Sequence, residues 1–171
     1  TGYIKITDQD TLYLILIDEG DVVAAANKEA SDHVGTPMPV NALLEAPALN
    51  DEKSTLSIYE ISPDLAGIFT KIYHTQCKVL HKDLHSDFSD IPKFLKKMQS
   101  TQFNGYIHFD FVKVDKHGII VLENGKVTSL LSQKIELTES DPETTKTKLM
   151  NMIISESQIN GAVFNIFQFD G

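Results

Sequence analysis

The chain writes the same strand opening twice. "GYIKITD" stands at Gly2–Asp8 and "GYIHFDF" at Gly105–Phe111. Internal repetition constrains a fold more than any local propensity, because one supersecondary unit must be buildable at both places. The first stretch continues as "TLYLILIDEGDVVAAA" over 11–26 and the second as "KHGIIVLENGKVTSLL" over 116–131. Each reads as an alternating strand, a denser apolar strand, a glycine turn and a third strand. Glu123, Asn124 and Gly125 give the stronger turn signal, since Asn-Gly accepts the positive φ of a type I′ hairpin. Asp18, Glu19 and Gly20 are its weaker counterpart. Gly20, Asn124 and Gly125 are therefore predicted as structural turn positions.

The correspondence extends past the meander. Pro39 follows the first three strands and Pro142 the second three, and each opens a helical pattern, as proline does in a first turn. Asp141 is the predicted N-cap of the second helix, and its Leu149, Met152 and Ile153 share a face. A fourth strand closes each copy, at 55–62 and 162–169. Between the copies, Leu65, Ile68, Phe69 and Ile72 mark a helix after Pro63. A second helix is predicted over about 89–99, with Phe94, Leu95 and Met98 inward and Lys93, Lys96 and Lys97 in water. Residues 27–37 read as a loop. The expected fold class is α+β: two related repeats, each an antiparallel three-strand meander with a helix and a returning strand, packed with pseudo-two-fold symmetry. The expected boundaries are 1–74 for the first repeat, without the leading helix that precedes the second, 75–87 for a connector, and 88–171 for the second repeat.

Strand alternation puts Ile107, Phe109 and Phe111 on one face and Tyr106, His108 and Asp110 on the other, read as the wet side. Ile4 and Ile6 oppose Tyr3, Lys5 and Thr7 in the same way. The runs at 12–17 and 118–122 are apolar on both faces and read as central strands, covered by helices on one side and by a further element or partner on the other.

Charge narrows the function classes. Twenty-four acidic residues face fifteen basic ones, for a net charge of −9, and every basic residue is lysine. Without a basic face or the arginine fork, the chain is poorly equipped for nucleic acid, and its charge disfavours anionic membranes. No apolar run is long enough to span a bilayer. The single Cys77 excludes an internal disulfide and fits a reducing, cytoplasmic setting. A chain that opens at Thr1 directly on a strand pattern reads as one part of a longer protein.

The densest group of possible ligands is "HTQCKVLHKDLH", with His74, Cys77, His81 and His85 at spacings of three and four. On a helix continued from Pro63, the histidines fall on the solvent side, opposite the apolar stripe. No second Cys/His pair completes a zinc set, so no metal and no cofactor are expected. Cys77 lacks any nucleophile motif around it. The acidic residues Asp8, Asp10, Asp18, Glu19 and Asp21, echoed by Asp110, Asp115 and Glu123, fall mostly at turns, where aspartate serves local hydrogen bonding. Phosphate-binding, hydrolase and metalloprotease motifs are absent, so no catalytic residue is expected and the chain is read as a non-enzyme.

Residues 88–131, "FSDIPKFLKKMQSTQFNGYIHFDF…HGIIVLENGKVTSLL", resemble the domain at the N-terminus of PatA-type regulators and related uncharacterised bacterial and archaeal domains. Ile91, Phe94 and Leu95 match its short helix, Gly105 and Ile107 its first strand, and Gly125 and Val127 its turn and exit. The strand part matches again at 2–26. The resemblance implies a regulatory or protein-interaction module within a longer signalling-type protein, with a protein partner or a homodimer. The alternative is a small-molecule or metal-binding sensor.

Overall fold

A computed structural model describes residues 1–29, 36–38, 54–74, 77–114, 116–132 and 142–170. The chain is α+β and divides into two compact units, Thr1–Gln76 and Cys77–Gly171. The helix expected at 39–46 and the N-cap expected at Asp141 lie outside the described residues.

The first unit contains β1 (Gly2–Asp8), β2 (Thr11–Asp18), β3 (Asp21–Glu29), β4 (Thr36–Met38), β5 (Thr55–Glu60) and α1 (Pro63–His74). Its antiparallel sheet has the order β4-β3-β2-β1-β5. The loop expected at 27–37 is shortened from both ends, by β3 and by β4. Helix α1 lies on the Tyr3 face of the sheet, where Phe69 meets the Tyr3 ring edge-on at 6.4 Å. Leu16, Ala24, Ala26, Ala66, Ile68 and Ile72 are buried in this unit. Small alanines on β3 let the helix approach closely.

The second unit contains β6 (Cys77–His85), α2 (Ile91–Ser100), β7 (Gly105–Phe111), β8 (Lys116–Glu123), β9 (Lys126–Ser132), α3 (Pro142–Asn160) and β10 (Ala162–Phe169). The sheet order is β6-β10-β7-β8-β9, again antiparallel. Asp90 caps α2, its carboxylate accepting the Lys93 amide at 3.0 Å. That bond, helped by the Lys93 side chain, holds the Asp90 carboxyl below its usual range. Ile91, Leu95 and Met98 from α2 and Ile153 from α3 close one core over Ile107, Phe109, Phe111, Ile120, Leu122, Phe164 and Ile166.

The two sheets share more than strand order. Tyr3 pairs with Leu16 and Tyr59, and Tyr106 pairs with Val121 and Phe167. Each tyrosine stacks on the aromatic ring across from it at 4.7 Å, with interplanar angles of 16° and 11°. The β2–β3 pairing shifts register between Leu16 and Ile17, and the β8–β9 pairing between Val121 and Leu122. Both hairpins turn through two residues of positive φ, Glu19 and Gly20 in the first unit and Asn124 and Gly125 in the second, which is the type I′ geometry.

Two expectations are corrected. Residues 77–85 are no connector: they form strand β6 at the sheet edge, paired to β10. Its mixed polar sequence hides the alternation, and a bulge interrupts it at Asp83, where φ is 54° and the backbone N–H donates to Asn165 Oδ1 at 2.8 Å. Neither tyrosine face is the wet one: α1 packs on the Tyr3 face of β1, leaving Ile4 and Ile6 on the more open side. Tyr106, His108, Val121, Asn165 and Phe167 are all buried, because β7 is the middle strand of five and both its faces are enclosed.

Candidate functional site

Among the described residues, one group of three metal-ligating side chains converges: His108, Asp110 and His117, whose donor atoms all lie within 4.8 Å of one another. Strand geometry explains why. Residues 108 and 110 are two apart on β7 and project from the same face. His117 is the cross-strand partner of Asp110 on β8, the closest side-chain neighbour an antiparallel pair offers. His117 Nδ1 stands 2.5 Å from Asp110 Oδ1, and His108 Nε2 is 3.7 Å from the same oxygen. The two imidazoles stack with centroids 5.3 Å apart and planes 15° from parallel. Exposure grades across the group, from a buried His108 through Asp110 to a His117 side chain that is 44% exposed. Asn165 is the cross-strand partner of His108 on β10 and is fully buried.

The ligand candidates read from the sequence do not gather. The stretch from Cys77 to His85 is a strand, not the helix on which their spacing was projected. Cys77 pairs with Phe169, His81 with Ile166 and His85 with Val163. Register neighbours on β10 alternate faces, so His81 lies on the core face, edge-on to Phe94 at 5.9 Å, while His85 and Cys77 are on the other. His74 ends α1 in the first unit, and its side chain is outside the described residues. Burial pushes the Cys77 thiol up to about 11, the Asp170 carboxylate adding to the rise and a hydrogen bond with Tyr106 opposing it. A thiol protonated at neutral pH is a poor nucleophile and a poor ligand. Of the acidic residues, Asp8 accepts from Ser54 Oγ at 3.0 Å and Asp18 from Thr1 Oγ1 at 2.7 Å. Glu19 is the first central residue of its hairpin turn, Glu123 precedes the other turn, and Asp115 is outside the described residues. Asp110 alone joins a converging set. The sequence signal that could have found it is His-x-Asp on one strand with a histidine just past the next turn, but the match needs the β7–β8 register.

A second feature lies in the first unit. Among the described residues strand β5 is a sheet edge, with only β1 beside it. It carries Leu56 at 59% and Ile58 at 74% exposure. By register Ile58 faces Ile4 and Leu56 faces Ile6, so the four form one apolar strip on the face opposite α1. The corresponding residues of β10 are Phe164, paired with Phe109, and Ile166, paired with Ile107. These are 1% and 0% exposed. Strand β6 continues the sheet beyond β10, and α2 covers the face. Among the described residues the first unit has no counterpart of either.

Comparison of the chain with family models, curated proteins and solved structures finds no match. Among the described residues, no helix is long and apolar enough to cross a membrane.

Proposed function

We infer that the chain is an internal duplication serving as a regulatory or protein-interaction module. The observation that carries this reading is the contrast between Ile58 and Ile166. They hold the same register position in two sheets that share the order of four strands, β3-β2-β1-β5 and β9-β8-β7-β10, yet one is 74% exposed and the other 0%. An open edge strand with free N–H and C=O groups is a template for another strand, and natural proteins blunt such edges unless they are used. An apolar strip beside that edge adds burial to backbone pairing. The occupant that fits is a polypeptide supplying a strand to β5 and the apolar face of a helix to Ile4, Leu56 and Ile58. This is the pattern that β6 and α2 supply in the second unit. The regulatory side of the reading rests on the resemblance carried by residues 88–131.

The test uses a labelled peptide of residues 77–101, which holds the β6 and α2 sequences, added to the whole chain. Saturable binding that is lost when Leu56 and Ile58 are both changed to Glu supports the reading. Light scattering on the protein alone identifies a second copy as the occupant if dimers form and the same changes dissolve them. A strict monomer that binds no such peptide, with β5 amides already protected from hydrogen exchange, rejects the docking face.

A further inference from the structure

We propose that His108, Asp110 and His117 form a binding site for zinc or a chemically similar divalent transition-metal ion. The site would have three protein ligands and an open position towards solvent.

The donor types come first. Two imidazoles and one carboxylate are a set that zinc and its neighbours accept, and three protein ligands with a vacant fourth position is a known form of open zinc centre. The distances are close to what an ion needs. Ligand atoms at bond lengths of about 2.0–2.1 Å in a tetrahedral shell stand about 3.3 Å apart. The contacts to Asp110 Oδ1, 2.5 Å and 3.7 Å, bracket that value, and no donor pair in the group exceeds 4.8 Å. The frame is stiff, because β7 lies between β10 and β8 and His117 is locked opposite Asp110.

The surroundings argue in the same direction. His108 is buried on a face that also carries Tyr106, Ile119, Val121, Asn165 and Phe167, all buried. The nearly half-exposed His117 leaves a way in for an ion. Beside His108, Asn165 has its Oδ1 taken by the Asp83 amide, and its buried Nδ2 has no acceptor among the described residues. A buried donor next to a ligand set is an outer-shell group of the kind metal centres use to hold a bound water or anion.

The first unit supplies an internal control. At the register positions of His108, Asp110 and His117 it carries Lys5, Thr7 and Leu12, with Thr7 paired to Leu12 as Asp110 is to His117. The same frame therefore stands without any ligand at these places. The three donors are an addition to the fold rather than a condition of it.

The counterpart residues also give test variants that the frame already accommodates, Asp110→Thr and His117→Leu. Metal-free protein is titrated with Zn2+ by calorimetry, and with Co2+ by visible absorption, whose band intensity separates four- from six-coordinate ions. The expected result is one ion per chain. Binding should weaken at least tenfold in each variant and be lost in the double variant, and His81→Ala with His85→Ala should leave it unchanged. The thermal midpoint of the wild-type chain should rise with zinc, and that of the double variant should not. Absence of saturable binding overturns the proposal. So does one-to-one binding that survives in the double variant, or that disappears with the β6 histidines.

Discussion

The two units differ in how far a similar run of four antiparallel strands is enclosed. In the second, β10 sits between β7 and β6, and α2 and α3 close over Phe164 and Ile166. In the first, β5 holds the place of β10, no strand among the described residues lies beyond it, and Leu56 and Ile58 are exposed. Register, bulge, hairpin turn and aromatic stack are alike in the two sheets. The meander and its returning strand are therefore compatible with an open edge, and enclosure is contributed by the elements added around them. At matching register positions isoleucine stands at both 58 and 166, leucine at 56 corresponds to phenylalanine at 164, and the tyrosine-bearing face carries lysine and threonine in one unit and histidine and aspartate in the other.

The largest expected effect tests the enclosure itself. Ile166→Ala leaves a cavity in a closed core and should destabilise the second unit by about 2–5 kcal/mol. Ile58→Ala, at the same register position in the first unit, should cost about 0.5 kcal/mol or less, as exposed substitutions do. Urea denaturation of both variants, with hydrogen exchange to tell the units apart, checks the pair. Comparable losses would mean that the Ile58 strip is covered in solution, and a concentration dependence would then point to a second copy on it.

The same contrast explains what was legible in the sequence. Patterns carried by residues near each other in the chain were readable. Asn124-Gly125 sets the turn through its own φ preferences, the Leu95–Met98 spacing sets α2, and Leu149 and Ile153 set the buried face of α3. The recurring Gly-Tyr-Ile openings were visible directly, and the strands built on them have alike hairpin turns and aromatic stacks. Features that depend on what lies across the sheet were not readable. Strand β6 looked like a connector because an edge strand keeps polar residues, and because the bulge at Asp83 breaks its period. The Tyr106 face looked wet because tyrosine, histidine and aspartate alternate on it, and its burial depends on what covers the sheet, which local alternation does not encode. Asp110 and His117 are joined by register, so the one converging ligand set was missed, while a denser run of histidines, spread along a strand, drew the attention.

A smaller effect concerns how tightly each returning strand is held. Gly2 and Gly105 open β1 and β7 where the neighbouring backbone comes very close. A Cβ on Gly2 would meet the carbonyl oxygen of Tyr59, and one on Gly105 would meet that of Phe167 with the Phe103 ring 2.7 Å away. Some backbone must shift in either case. Strand β5 has one neighbour and can move outwards, whereas β10 is held on both sides. Gly105→Ala should therefore cost about 1–3 kcal/mol, the usual range for overpacking, and Gly2→Ala distinctly less. Equal losses would show that β5 is as firmly held as β10 and that its edge is not free.

The smallest expected effect lies at the hairpin turns, where the units differ in one residue of the same geometry. Glu19 and Asn124 both sit at φ 50, followed by Gly20 and Gly125. Left-handed backbone is strained for most side chains and is tolerated best by glycine, asparagine and aspartate. Glutamate at 19 therefore carries a strain that asparagine at 124 does not. Glu19→Asn should stabilise the first unit by about 0.5 kcal/mol, and Asn124→Glu should destabilise the second by a similar amount. The reciprocal exchange matters because the surroundings differ. Gly20 has nothing within 4 Å of a built Cβ, while the second turn packs on the end of α2, with the Asn124 amide donating to Asn104 Oδ1 at 2.7 Å and the Gly125 amide to the Phe103 carbonyl at 2.9 Å. If the turn preference is local, the two changes should be nearly equal and opposite in urea midpoints. A loss at 124 several times the gain at 19 would mean that the α2 contacts, and not the φ preference of asparagine, fix the second hairpin.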